Sequence, residues 1–159
     1  MDIAKGNITC DFLLKEAEDF LGKQSYQLAL QVESYENSQK INDASFIALK
    51  KKYTIALIRD WLITEKIKER CYGNYTTILY FYSNKNCDKC FDQGVVLGYL
   101  KTRLDQKLMS YPIDGDLDLR IVMALKNAYN ITSYPSLLIN GNLSVGFYDL
   151  TNLSNKICA

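Results

Sequence analysis

Of the five cysteines in this 159-residue chain, Cys87 and Cys90 alone stand at C-x-x-C spacing, in the segment Asn86-Cys-Asp-Lys-Cys90. That spacing has a chemical use. A cysteine in the first turn of a helix meets unpaired backbone N–H groups and the positive end of the helix dipole, both of which favour the thiolate. A second cysteine three residues on shares its face, and its sulfur can attack a mixed disulfide formed by the first. The chain contains no histidine. Ser/His and Cys/His nucleophilic catalysis are therefore excluded in their usual form, and the commonest zinc ligand is missing. Chemistry falls to Cys, carboxylates, Lys, Tyr or the backbone.

Two blander readings of the pair compete. Half a zinc site would need two more ligands from Cys10, Cys71, Cys158 or carboxylates, and no second C-x-x-C exists. An inert structural disulfide is the other. With five cysteines, at least one is free or pairs outside the chain. Cys158 reads as a buried or frayed single thiol near the end.

The elements that must position the pair begin after Gly73, where the period changes. Thr76-Thr-Ile-Leu-Tyr-Phe-Tyr82 is β-branched and aromatic throughout, as in a buried strand. A polar loop, Ser83–Asn86, leads into a helix expected from Cys87 to about Lys107. Leu108–Ile113 reads as a second strand, Leu117–Tyr129 as a helix, Ser136–Asn140 and Leu143–Tyr148 as strands joined by an Asn140-Gly141 hairpin turn. Leu150, Leu153 and Ile157 mark a short amphipathic helix. The order is β-α-β-α-β-β-α. Helical crossovers make the first three strands parallel, and the last two form an antiparallel hairpin.

Pro135 separates the readings of the dithiol. The segment Ile131-Thr-Ser-Tyr-Pro-Ser-Leu-Leu-Ile-Asn-Gly141 places a proline at the start of a hydrophobic strand, 45 residues after the second cysteine. With the C-x-x-C and the intervening β-α pattern, residues 74–159 resemble a thioredoxin-like domain of α/β class, a three-layer fold with an α-helical extension before it. The resemblance implies that Cys87 is the attacking thiol, Cys90 the resolving thiol and Pro135 a cis-proline packed against them. The backbone of Tyr134 would pair with an extended substrate segment. More narrowly, Tyr80-Phe-Tyr-Ser-Asn, Cys-Asp-Lys-Cys and Tyr129-Asn-Ile-Thr-Ser-Tyr-Pro are similar to uncharacterised thioredoxin-like proteins of archaea and bacteria, many with a membrane anchor and a helical region ahead of the redox domain.

The chain departs from that pattern in two respects. Thioredoxin carries Trp-Cys-Gly-Pro-Cys. The buried carboxylate it keeps near its dithiol falls here on Tyr80 or Phe81. Asp88 is an alternative proton acceptor if its side chain turns inward. Asp88 disfavours a nearby thiolate and Lys89 favours it, so the sign of the thiol shift is open.

Residues 1–73 read as a separate helical region of about three helices. Leu13, Leu14, Ala17, Phe20 and Leu21 are spaced helically, with Gly22 as a stop; Ser25 caps a second helix carrying Leu28, Val32 and Tyr35. Glu36–Lys40 connects to a long third helix from Asn42 or Asp43 to about Arg70, with Phe46, Leu49, Tyr53, Ala56, Leu57, Trp61 and Ile67 inward and Gly73 ending it. In an antiparallel bundle, three passes separate Cys10 from Cys71 and an even number joins them. A Cys10–Cys71 disulfide is hypothesised because both flank the same unit. Five N-x-S/T sequons, at Asn7, Asn74, Asn130, Asn142 and Asn152, also point to an oxidising compartment.

Apolar residues are 48% and charged residues 23%, enough for a real core. A net charge of +1 gives no reason to expect nucleic acid or an anionic membrane as partner. No stretch approaches the ~20 apolar residues of a membrane span, and no signal-peptide core opens the chain. The expected function is thiol–disulfide exchange on protein substrates with an unidentified redox partner. It needs no cofactor and no metal, and its setting would be extracytoplasmic or membrane-associated, otherwise cytoplasmic. The alternative is a thioredoxin-fold scaffold whose cysteine pair is only structural.

Overall fold

The computed structural model describes residues 3–38 and 43–158, and for residues 3–9 and 158 the backbone only. The chain divides into two compact units, residues 1–73 and 74–159.

In the first unit, α1 (Ile3–Glu16) runs through a π-helical turn (Ala17–Leu21) directly into α2 (Gly22–Asn37). Gly22 is helical, with φ −61° and ψ −37°, so it does not stop the helix as expected. Glycine ends a helix when its left-handed conformation is used; in a right-handed one it costs only about 1 kcal/mol against alanine. Packing of α1, the π turn and α2 on one partner helix offsets that cost. Ser25 is likewise no cap. It is buried within α2, and its hydroxyl donates to the carboxylate of buried Asp60. The π turn takes up an extra residue, so a 3.6-residue period read across it goes out of phase. Phe20, inside the π turn, accordingly lies exposed; Leu13, ahead of it in α1, is exposed as well.

The partner helix is α3 (Ala44–Cys71), capped by Asp43, whose carboxylate accepts from the Ser45 N–H at 2.9 Å. Asn42 and part of the Glu36–Lys40 connection lie outside the described residues. Phe46, Ala56, Leu57 and Trp61 are buried along α3, and Leu49, Tyr53 and Ile67 are half-buried. At its end the left-handed residue is Tyr72 (φ 50°), one before the expected Gly73, whose N–H bonds the Lys68 carbonyl at 3.2 Å. The unit therefore makes two passes, not three. An even count returns the chain to its start, and a Cys10–Cys71 disulfide closes that end with the Cα atoms 5.6 Å apart.

In the second unit the elements are β1 (Thr76–Tyr82), α4 (Cys90–Leu104), β2 (Leu108–Asp114), α5 (Arg120–Ala128), β3 (Ser136–Ile139), β4 (Asn142–Val145) and α6 (Leu150–Cys158). The sheet order is β2-β1-β3-β4. Successive side chains of β1 point to opposite faces, and Thr76 to Phe81 are all buried, so both faces of the sheet are covered. On one face, Ile78 and Tyr80 share a core with Leu97 and Leu100 of α4, Leu137 of β3 and Leu153 of α6. Asn140 and Gly141 both have positive φ (50° and 83°), the two-residue turn that matches strand twist, and they close the β3–β4 hairpin. This is a thioredoxin-like α/β arrangement preceded by an α-helical region.

One expectation about the sheet is overturned. β1 and β2 are parallel, but β3 runs antiparallel to β1, with Phe81 opposite Ser136 and Ile78 opposite Ile139. The nine-residue α5 is flanked by long connections, residues 115–119 and 129–135, which deliver the chain to the same end of the sheet at which β1 finishes. The reversal has a consequence for function. It starts β3 beside the strand end that feeds the Cys87 loop.

Candidate active site at the amino end of helix α4

Tyr82 closes β1, and residues 83–89 form the connection to α4. Cys87 and Cys90 are joined in a disulfide, their Cα atoms 5.5 Å apart. The helix begins at Cys90, later than expected, because Lys89 (φ −102°, ψ 0°) is its N-cap and Cys87 lies in the turn before it. Cys87 is thus outside the first helical turn. It sits just ahead of the positive end of the α4 dipole, where an anion is favoured. Cys87 is half-buried, whereas Cys90 is only 7% exposed. An incoming sulfur therefore has access to one partner and not to the other.

Three charged residues, Asp88, Lys89 and Asp92, stand in or just after the Cys87–Cys90 segment. Asp88 is exposed and does not turn toward the buried Cys90. The Lys89 ammonium lies 3.5 Å from the Asp92 carboxylate and over the Phe147 ring, 5.6 Å from its centroid. At one of the two positions expected to replace a buried acid, Tyr80 points its hydroxyl at the backbone carbonyl of Cys90 and donates to it. Burial pushes this phenol up to about 12, so at neutral pH it is a donor and holds its proton. Phe81, the other position, is fully buried hydrocarbon beside no acid of its own strand.

The Tyr134–Pro135 peptide bond is cis, and Pro135 is buried at the head of β3, its carbonyl accepting from the Gly146 N–H at 2.9 Å. Tyr134 is held from the side. Its hydroxyl donates to the Gly115 carbonyl at 3.1 Å, and the Lys126 ammonium donates to the same oxygen at 2.8 Å while lying 5.4 Å from the tyrosine ring centroid. Gly115 in turn donates its N–H to the Tyr82 carbonyl at 2.8 Å. A methyl group on Gly115 would stand 2.2 Å from the Tyr134 ring, so the close approach requires glycine. The topology thus brings Cys87, Cys90 and Pro135 to one end of the sheet. Cys10 and Cys71 pair in the other unit, and the Cys158 side chain lies outside the described residues.

Three supporting residues were not legible in the sequence. Gly115 carries no motif, Tyr80 reads as a strand residue at a buried-acid position with no hydrogen bond foreseen, and Gln93 stands out by no pattern. Gln93 is fully buried one turn after Cys90, donating to the Tyr148 carbonyl at 3.2 Å and accepting from the Tyr148 N–H at 2.8 Å. A glutamine three residues after the second cysteine was the available signal, and periodicity gives it no weight. Beside the dithiol lies a cleft of about 480 Å³ that Cys87 and Cys90 help to line. Among the described residues no group of three or more Cys, Asp or Glu side chains gathers as a metal site.

Chemically, the arrangement offers an accessible sulfur and a shielded partner within bonding distance. Neither a protein-family model nor a curated protein matches the sequence. Among solved structures, the chain is similar to the thioredoxin Deadhead from Drosophila melanogaster at 19% identity, covering 64% of this chain and 91% of that one with a TM-score of 0.45. It is similar to oxidised thioredoxin O2 from Arabidopsis thaliana at 18% identity, covering 60% and 83% with a TM-score of 0.45. A malarial protein is similar at 19% identity, covering 54% and 96% with a TM-score of 0.47.

Proposed function

We propose that the second unit is a thiol–disulfide oxidoreductase that acts on protein substrates through Cys87. The observation that carries this is the asymmetry of the pair: Cys87 is accessible and Cys90 shielded, at the end of the sheet where Pro135 leads into β3. In the reducing direction, the Cys87 thiolate attacks a substrate disulfide, forms a mixed disulfide and expels one substrate thiolate, which takes up a proton. Cys90 loses its proton to solvent or buffer and attacks Cys87 Sγ, closing the Cys87–Cys90 bond and releasing the second thiolate. Two electrons pass from the protein dithiol to the substrate. The oxidising direction is the same path reversed. The Tyr134 backbone, set beside Pro135, pairs with the extended substrate segment.

The setting that fits is extracytoplasmic. The Cys10–Cys71 disulfide and the exposed sequon asparagines Asn74, Asn130, Asn142 and Asn152 favour an oxidising compartment. Among the described residues no helix is long and apolar enough to cross a membrane. The similarity of Tyr80-Phe-Tyr-Ser-Asn and Cys-Asp-Lys-Cys to thioredoxin-like proteins of archaea and bacteria with a helical region favours the same setting. Reduction of insulin with dithiothreitol as electron donor tests the activity. Turnover by the full chain that is abolished in Cys87→Ser supports it, and turnover equal to dithiothreitol alone rejects it.

A further inference from the structure

We propose that the cleft beside the dithiol selects substrates in which an uncharged, apolar side chain adjoins the reacting cysteine; this rests on the thiol–disulfide reading above. Cys87 is itself part of the cleft wall, so whatever becomes bonded to its sulfur carries its flanking residues to that cleft. Tyr80 and Tyr82 of β1 form one side, their rings 5.6 Å apart and tilted by 40°. Phe91 and Val95 of α4 form the other. No Asp, Glu, Lys or Arg side chain lines the cleft.

The helix contributes a surface that folding alone does not explain. The inner face of α4 fills the core with Leu97 and Leu100, yet Phe91 is 80% exposed and Val95 57% exposed. Tyr99, another turn on, is also exposed, so an apolar stripe at i, i+4, i+8 runs outward from the cysteine pair. Large apolar side chains left in water beside a reactive sulfur mark a contact surface. The charges near the cysteines stand outside the cleft wall: Lys89 pairs with Asp92, and Asp88, next to Cys87, is exposed. An apolar flanking side chain gains burial against Tyr82, Phe91 and Val95. A charged one gives up hydration and meets no counter-charge on the cleft wall. Glutathione, with two carboxylates and an ammonium, is accordingly a poor substrate.

The test uses the full chain, reduced and freed of reductant, mixed with symmetrical disulfides of capped dipeptides. Cysteine is preceded by phenylalanine, aspartate or lysine, and 2-hydroxyethyl disulfide is the small neutral reference. Acid quenching, alkylation and mass mapping give the rate of Cys87–Cys90 bond formation. The phenylalanine peptide is expected to react about tenfold faster than either charged peptide. Val95→Asp is expected to erase that preference and to favour the lysine peptide over the aspartate one. Equal rates for all three peptides, unchanged by Val95→Asp, overturn the proposal while reaction with 2-hydroxyethyl disulfide leaves the thiol–disulfide reading standing. If no disulfide, the reference included, oxidises the pair, both fall.

Discussion

The Tyr80 hydroxyl donates to the Cys90 carbonyl, fastening the middle of β1 to the first residue of α4. Tyr80→Phe removes that bond and is expected to cost about 1 kcal/mol at neutral pH. The alkaline limb is more telling. The folded phenol sits at about 12 against 10 for an ordinary tyrosine, so between those values the unfolded chain binds fewer protons than the folded one. Stability contributed by Tyr80 is complete below pH 10 and is lost as pH rises through about 12. Urea midpoints measured from pH 8 to pH 11.5 should fall more steeply for the natural chain than for Tyr80→Phe. Parallel curves would contradict the assignment.

Gly115→Ala drives a methyl group into the Tyr134 ring, 2.2 Å from its nearest atom. Gly115 also bonds Tyr82, Lys126 and the Tyr134 hydroxyl, so the ring is the partner that must give. The expected cost is about 1–3 kcal/mol in urea unfolding. Because Tyr134 adjoins Pro135, the KM for insulin should rise several-fold. An unchanged KM with normal folding would show that Tyr134 does not meet the substrate.

Gln93 exchanges two hydrogen bonds with the Tyr148 backbone, with no exposure to water. Gln93→Leu fills the space but leaves an N–H and a carbonyl without this partner, and should cost about 2–3 kcal/mol. Chemical unfolding monitored by far-ultraviolet circular dichroism checks it. A loss below about 0.5 kcal/mol would mean that both groups find water.

The Cys10–Cys71 bond spans a sequence separation of 61 residues. Closing a loop of that length removes about 4 kcal/mol of chain entropy from the unfolded state. The Cys10→Ser, Cys71→Ser double variant should lose up to that amount from the helical unit and keep insulin reduction. Thiol counting on the denatured, unreduced protein checks the bond itself, and five free thiols from an oxidised sample would refute it.

How much of this could be read from residues alone follows from the range of the interactions. The strand Thr76–Tyr82 and the Asn140-Gly141 turn carry local signatures and stand where the pattern placed them, whereas the helix expected to open at Cys87 starts only at Cys90. The direction of β3 has no such signature. A helix between two strands reads as a parallel crossover, and the antiparallel register of β3 on β1 is a long-range pairing that no local pattern encodes. The same distinction explains the helical unit. Gly22 and Ser25 look like boundary residues, but packing on α3 and the buried Asp60 keep the helix running through both. The Gly115–Tyr134 contact joins residues 19 apart through sterics that no pattern encodes.

The central claim is that the Cys87–Cys90 bond is made for exchange, and its reduction potential in the folded protein tests this most directly. The native chain would be equilibrated with graded ratios of oxidised to reduced dithiothreitol or glutathione, trapped by alkylation and mapped by mass. Reversible reduction of this pair is expected between about −270 and −120 mV. Reduction only below about −300 mV, where structural disulfides lie, would contradict it.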